Sequence, residues 1–219
     1  MKADSEKAVR GGDATTGRQR LLAAAAEEFS QHGYAGASIA AIAARAEVGK
    51  STIFHHFESK EALYLAVIEG AATEFARTLE QVLDVERDVH ESLSDFQLAH
   101  LRHLLRNDKV ASLVLRELRG EGPGETAGQV REVVAGNFRR LVEFLAAARM
   151  RGGIRKDVDP EMAALTMLSV NAFAFQIREV LMDIQGLDVG GDPDGFAAAV
   201  TDLVCRGLNI AGEAKGEKE

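Results

Sequence analysis

AEVGKSTIFHHFESKE, Ala46 to Glu61, is the stretch on which the fold turns. EVGK reads as a turn, and KSTIFHHF as a short helix whose Ile53 and Phe57, four residues apart, share one face. That leaves Lys50, Ser51, Thr52, His55 and His56 pointing away from the apolar side. Two histidines and a lysine on so short an element suit catalysis, metal binding or contact with a polyanion. Metal binding by the His55-His56 pair fails on geometry, because adjacent helical residues do not face each other.

The flanking sequence supplies the context. Upstream, RQRLLAAAAEEFSQHG places Leu22, Ala25, Ala26 and Phe29 at i, i+3, i+4 and i+7, a helical stripe that stops at Gly33. Ser38 is positioned to cap a very short helix, IAAIAARA, with Ile39 and Ile42 on one side. Downstream, Ser59 is an N-cap with Glu61 in the first turn. It opens a helix to about Leu83 with Leu63, Val67, Ala71, Phe75, Leu79 and Val82 as its buried stripe. One amphipathic helix followed by two short ones across a four-residue turn is a helix-turn-helix, whose second short helix enters the DNA major groove. Lys50 and the helix-start amides suit phosphates. Ser51 and Thr52 can donate to phosphate or base edges, and the threonine methyl can touch a thymine methyl. His55 and His56 remain to reach backbone or bases.

Further along, helices are predicted at about 89–106, 108–119, 125–150, 160–184 and 194–211. Asp159-Pro160 and Asp192-Pro193 give two of them clear starts. GEGPG (Gly120–Gly124) and Gly152-Gly153 read as loops, and no strand pattern appears. The fold class is all-α, about nine helices.

Composition narrows the function. The 219 residues carry a net charge of −8, but residues 1–60 hold eight Lys/Arg against seven Asp/Glu, and the rest 18 against 27. Any polyanion contact therefore belongs to the first quarter of the chain. The one cysteine, Cys205, cannot form an internal disulfide and reads as a small buried hydrophobe. No signal-peptide core or membrane-length apolar run is present, which predicts a cytoplasmic protein with no membrane partner. No G-x-S-x-G, P-loop, GxGxxG or HExxH occurs, so no catalytic residue is assigned. His100 and His103, with His90 upstream, lack a Cys, Asp or Glu at a ligand-like offset. GGDPDG lacks the glutamate a calcium loop needs at its twelfth position, and helix capping by Asp192 accounts for it. No metal site or cofactor is expected.

The segment RQRLLAAAAEEFSQHGYAGASIAAIAARAEVGKSTIFHHFESKEAL resembles the N-terminal domain of TetR-type (tetracycline-repressor-like) transcriptional regulators. The matching features are the Gly33-Tyr34 turn, the Ser38 cap, the IA..A of the second helix, the T-I-F-x-H-F run of the third and the S-K-E that follows. The resemblance implies phosphate contacts from Ser38, Lys50 and Lys60, with Ser51, Thr52, His55 and His56 meeting bases and backbone. Two positions depart from the family pattern. Glu47 stands where the turn usually has glycine, and Gly49 where a serine usually caps the recognition helix.

Three expectations concern the remainder. The domains are 1–60 for DNA binding (1–15 a flexible leader), 61–212 for ligand binding and dimerisation, and 213–219 a flexible tail. PEMAALTMLSVNAFAFQIREVL is apolar on more than one face and so wants covering on both. Together with FAAAVTDLVCRGLNIA it resembles the family's four-helix homodimer interface, which assigns Leu168, Phe175, Leu203 and Leu208 to that contact. Polar residues inside apolar stripes, on helices the family uses for its pocket, mark an effector site. Its expected residues are Phe96, His100, His103, Leu104, Asn137, Phe138, Leu141, Asn171, Phe173 and Gln176. The function that follows is a repressor released from a palindromic, double-stranded operator by a small, largely hydrophobic effector. The alternative from another class is a helical enzyme or scaffold retaining a helix-turn-helix unit.

Overall fold

The computed structural model describes residues 3–124, 126–183 and 187–208, with side chains in the first helix described from Gly17 onward. Among these residues there are ten helices and no strand. They are α1 (Ala3–Gly36), α2 (Ile39–Arg45), α3 (Lys50–His56), α4 (Lys60–Val82), α5 (Val89–Arg106), α6 (Asp108–Leu118), α7 (Ala127–Met150), α8 (Pro160–Gln176), α9 (Arg178–Met182) and α10 (Pro193–Leu208). The expected helix of 160–184 is two helices, broken at Ile177, whose backbone leaves helical geometry (φ −105°, ψ 15°). The backbone of α1 is helical from Ala3. The tail 213–219 lies outside the described residues.

Contacts divide the chain into two compact units. The first takes residues up to 71 plus 109–133, and the second takes 72–108 plus 134 onward. The segment 1–60 sits within the first unit, which also holds α6.

The first unit is built around Leu21, Ala25, Phe29, Ile42, Ile53, Phe57, Leu63, Tyr64 and Ile68. The buried face of α1 runs through Leu21, Ala24, Ala25 and Glu28, one position off the expected Leu22 stripe, though Phe29 is buried as anticipated. The reason is Glu28. A carboxylate at i+7 disguises the true face, yet it is buried because its Oε1 accepts the backbone N–H of Ser38 at 3.2 Å. His32 and Arg45 flank the same carboxylate, at 3.5 and 3.9 Å. At Gly33 α1 breaks, with φ 68° and ψ 174°, a region open essentially to glycine alone.

The turn between α2 and α3 ends α2 with paired bonds, Glu47 N–H to Ala44 O at 3.2 Å and Val48 N–H to Ala43 O at 3.0 Å. This is a Schellman motif, and its αL position is filled by Glu47 at φ 57°. The left-handed conformation costs an L-residue about 1–2 kcal/mol that glycine is spared. Glu47→Gly is accordingly expected to raise unfolding stability by about 1 kcal/mol, read as a higher urea midpoint at unchanged slope. An unchanged midpoint would mean the turn carries no strain.

In the second unit α5 packs against both α8 and α10. Its main core joins Phe75, Leu79, Leu93, Phe96, Leu141, Phe144, Leu145 and Met167. Asp88 and Asp159 cap α5 and α8 by accepting the N–H of Glu91 and of Met162.

Candidate nucleic-acid interface and effector site

The helix-turn-helix presents its polar face as the spacing requires. Ile53 and Phe57 are buried, while Lys50, Ser51, Thr52, His55 and His56 are exposed. Ser38 caps α2, its Oγ accepting from Ala40 N at 3.2 Å, and the residue remains exposed. No side chain caps α3, whose N-cap Gly49 leaves the first-turn amides to other acceptors. Lys60 is less free than its neighbours. Its Nζ lies 3.4 Å from the carbonyl of Ala35 and 4.7 Å from the centroid of the Tyr34 ring, tying the start of α4 to the end of α1.

Two residues escaped the sequence reading. Phe54 is 53 % exposed on α3 amid polar groups, an aromatic that the protein core does not use. The signal was available, since a buried Ile53 turns its successor outward. Arg18 lies with its Cζ 5.4 Å from the Phe57 ring, bringing a cation to the far end of α3. It was hidden among the charges of the leader.

In the second unit the structure brings together part of the expected effector set. Phe96 and Phe75 flank His100, with ring centroids 5.8 and 5.2 Å away, and His103 stacks on Phe75 at 4.8 Å. Asn171, fully buried, aims its Nδ2 at His100 Nδ1 across 3.3 Å. Leu141 and Phe138 belong to the same apolar core as Phe96, and Leu104 is half-buried. Asn137 instead accepts from Arg140 one turn away at 3.4 Å. Phe173 and Gln176 are corrections, because both project from the exposed side of α8 and so cannot line an interior site. Gln97 was missed. It is fully buried and bonded to Asn171, but a glutamine in a charged helix reads as solvated.

Burial, and secondarily His103, pushes the His100 pKa down to about 3, so the ring is neutral. Burial likewise lowers His103, opposed by Glu74 and reinforced by Arg106. Because the folded-state value of His100 lies below its unfolded one, the folded protein binds fewer protons between the two. Stability is therefore lost as pH falls from about 6.5 toward 3. At pH 5 the expected loss relative to pH 7.5 is about 2 kcal/mol, and His100→Phe should flatten that limb of the denaturation profile. An equally steep limb in the variant would assign the acid sensitivity elsewhere.

An open groove of about 290 Å³ also lies in this unit, lined by Leu79, Leu83, Val85 and Phe144 with Glu80, Arg140 and Glu143. None of the expected effector residues lines it. Among the described residues, no three His, Cys, Asp or Glu side chains gather as a metal site, and no helix is long and apolar enough to cross a membrane. Burial raises the Cys205 thiol to about 11, leaving it protonated and unreactive.

The dimer-face expectation needs one change. Phe175 is buried inside its own unit and cannot reach a partner, and Leu168 packs half-buried against the same core. Leu203 is exposed as expected, and the side chain of Leu208 lies outside the described residues. The exposed apolar side of α8 is carried by Met162, Leu165 and Phe173 instead. A helix apolar all round does not reveal from its sequence which side faces home.

The family profile described as bacterial regulatory proteins, tetR family, matches residues 21–67. The HTH-type transcriptional regulator UidR of Escherichia coli (strain K12) is 30 % identical over 180 residues, covering 78 % of this chain and 83 % of UidR. The TetR family transcriptional regulator PfmR from Thermus thermophilus superposes with a TM-score of 0.69 at 23 % identity, covering 87 % of this chain and 100 % of PfmR. The transcriptional regulator FadR from Bacillus subtilis, solved in complex with stearoyl-CoA, superposes with a TM-score of 0.70 at 18 % identity, covering 87 % and 99 %.

Proposed function

This chain belongs to the tetR family of bacterial regulatory proteins, and from that premise we propose a homodimeric repressor, released from its palindromic operator by a small, largely apolar effector. It is a DNA-binding transcriptional regulator and not an enzyme. The observation that carries the reading of its DNA contact is α3, which buries Ile53 and offers Lys50, Ser51, Thr52, Phe54, His55 and His56 to solvent. In this reading Lys50 and Arg18 meet phosphates, Thr52 and Ser51 meet base edges, and the Phe54 ring packs on sugar or a thymine methyl. Ser38, His55 and His56 add backbone contacts. Lys60 positions α4 against α1 as well as adding charge.

The effector is assigned to the second unit, around Phe96, His100, His103 and Asn171. Aromatic walls with a few neutral polar groups favour an uncharged or weakly charged ligand. The stearoyl-CoA bound by the Bacillus subtilis neighbour shares the apolar acyl chain of that class and differs from it in its charged CoA head. Release follows if the effector binds better to the conformation that fits the operator less well.

Lys50 and Thr52 give separable tests by fluorescence anisotropy on an operator duplex. Lys50→Ala removes one phosphate contact per half-site. It should weaken all sequences alike and lower the log–log salt slope by about 2 per dimer. Thr52→Ala should instead relax preference at particular base pairs by about 1–3 kcal/mol. A salt slope unchanged in Lys50→Ala would remove that lysine from the interface.

A further inference from the structure

The second unit buries a polar cluster that its own hydrogen bonds leave incomplete. Gln97 Nε2 donates to Asn171 Oδ1 at 2.8 Å and to Met167 O at 3.3 Å. Asn171 Nδ2 donates back to Gln97 O at 2.9 Å. These bonds set both amide orientations. Turning Gln97 over would aim its oxygen at two acceptors, and turning Asn171 over would aim its oxygen at the Gln97 carbonyl. Among the described residues Gln97 Oε1 is left buried and without a partner, and Gln97 and Asn171 are each 0 % exposed.

An orphaned buried acceptor is rare and costly, so it calls for a donor. His100 does not supply one through Nδ1, which faces the Asn171 amide as an acceptor and places the ring proton on Nε2. The surroundings define the missing partner. Phe75 and Phe96 flank His100, the neighbour of Asn171 in the cluster, with apolar rings, and His100 is neutral. The charged groups acting nearby, Glu74 and Arg106, act on His103. An ammonium donor would bring a full charge to a site that offers only neutral acceptors, and a carboxylate would present a lone pair to a lone pair. A neutral donor meets both requirements, and a hydroxyl is the most compact of these and makes the shorter bond to a carbonyl oxygen.

We propose that Gln97 Oε1 is the polar anchor of the effector site and accepts a hydrogen bond from a hydroxyl group on an otherwise apolar, uncharged effector. The inference rests on the reading of the second unit as the effector-binding part. It narrows the effector class from apolar molecules in general to apolar alcohols and phenols, and it makes Gln97 the residue that discriminates among them.

The test uses the full-length protein and two matched pairs of probes, 1-decanol against decyl methyl ether and 4-phenylphenol against 4-methoxybiphenyl. Binding is read by calorimetry and by release of a labelled operator duplex. The hydroxyl compound of each pair is expected to bind about 10- to 100-fold more tightly than its ether, since the ether leaves the acceptor unpaired. In Gln97→Met the preference should collapse to within about 2-fold. Equal binding of alcohol and ether by the wild-type protein overturns the inference without touching the effector reading. That measurement needs no variant to fold. A preference that survives in folded Gln97→Met overturns it as well, by placing the hydroxyl elsewhere. If no member of either pair binds or shifts operator affinity, the apolar-effector reading itself fails and takes the inference with it.

Discussion

Replacing Phe173 and Leu203 together with glutamate is expected to turn a dimer into monomers and to weaken operator binding by about 10²- to 10⁴-fold. Phe173 is 63 % exposed on α8 and Leu203 72 % exposed on α10, so neither change disturbs the monomer's own core. Met162 and Leu165 extend the same exposed apolar side of α8. Large apolar side chains exposed on two helices are rarely left to water, and in the homodimer proposed above a second copy would cover them symmetrically. Glutamates there would have to be desolvated without partners, which a marginal interface does not survive. The affinity then falls because the second recognition helix is no longer tethered to the first. Sedimentation equilibrium gives the mass and circular dichroism the fold. A folded variant that stays dimeric would move the interface off these helices.

The second large effect concerns stability. Phe29→Ala is expected to lower the unfolding free energy by about 3–5 kcal/mol, measured by urea denaturation. Phe29 is fully buried where α1, the Tyr34 turn and α4 meet, 5.1 Å from the Tyr64 ring in an edge-on contact and 6.1 Å from the Tyr34 ring. Tyr64 in turn donates from its hydroxyl to the buried Glu117 carboxylate at 3.1 Å, which also accepts from Thr126 at 3.2 Å. Burial and that carboxylate hold the tyrosine pKa well above its usual value, so the phenol stays a donor. Truncating the ring leaves a cavity beside a network that cannot collapse into it without losing these bonds. A loss under about 1 kcal/mol would show that the unit repacks freely.

Much of this was legible in the chain because its punctuation is local. Ser38, Ser59 and Asp159 each act on the nearest turn of backbone, and the helix starts they mark stand within a residue or two of expectation, while Gly33 breaks α1 where its stripe was read to stop. The bounds of α5, 89–106, were read outright. The polar side of α3 followed from Ile53 and Phe57 alone. The departure at Glu47 pointed to a turn position that does adopt a left-handed backbone. What stayed hidden depends on tertiary partners. Glu28 is buried because Ser38 N–H reaches it, and it shifted the apparent face of α1 by one residue. The break at Ile177 has no glycine or proline to announce it. Gln97 looks solvated until Asn171, 74 residues away, is set beside it. Phe173 and Phe175 could not be told apart on a helix apolar on both sides, and the structure exposes the first and buries the second.

The claim on which the account rests is that two copies of α3 read DNA. Selection of bound duplexes from a random library by the full-length protein, followed by anisotropy titrations across a salt series, tests it directly. The account predicts an enriched palindrome with half-site centres one DNA turn apart or a multiple of it, about 34–36 Å per turn. Binding to it should be much tighter than to unrelated DNA and should fall steeply as salt rises. No enriched sequence, or equal affinity for the selected and unrelated duplexes, would contradict it.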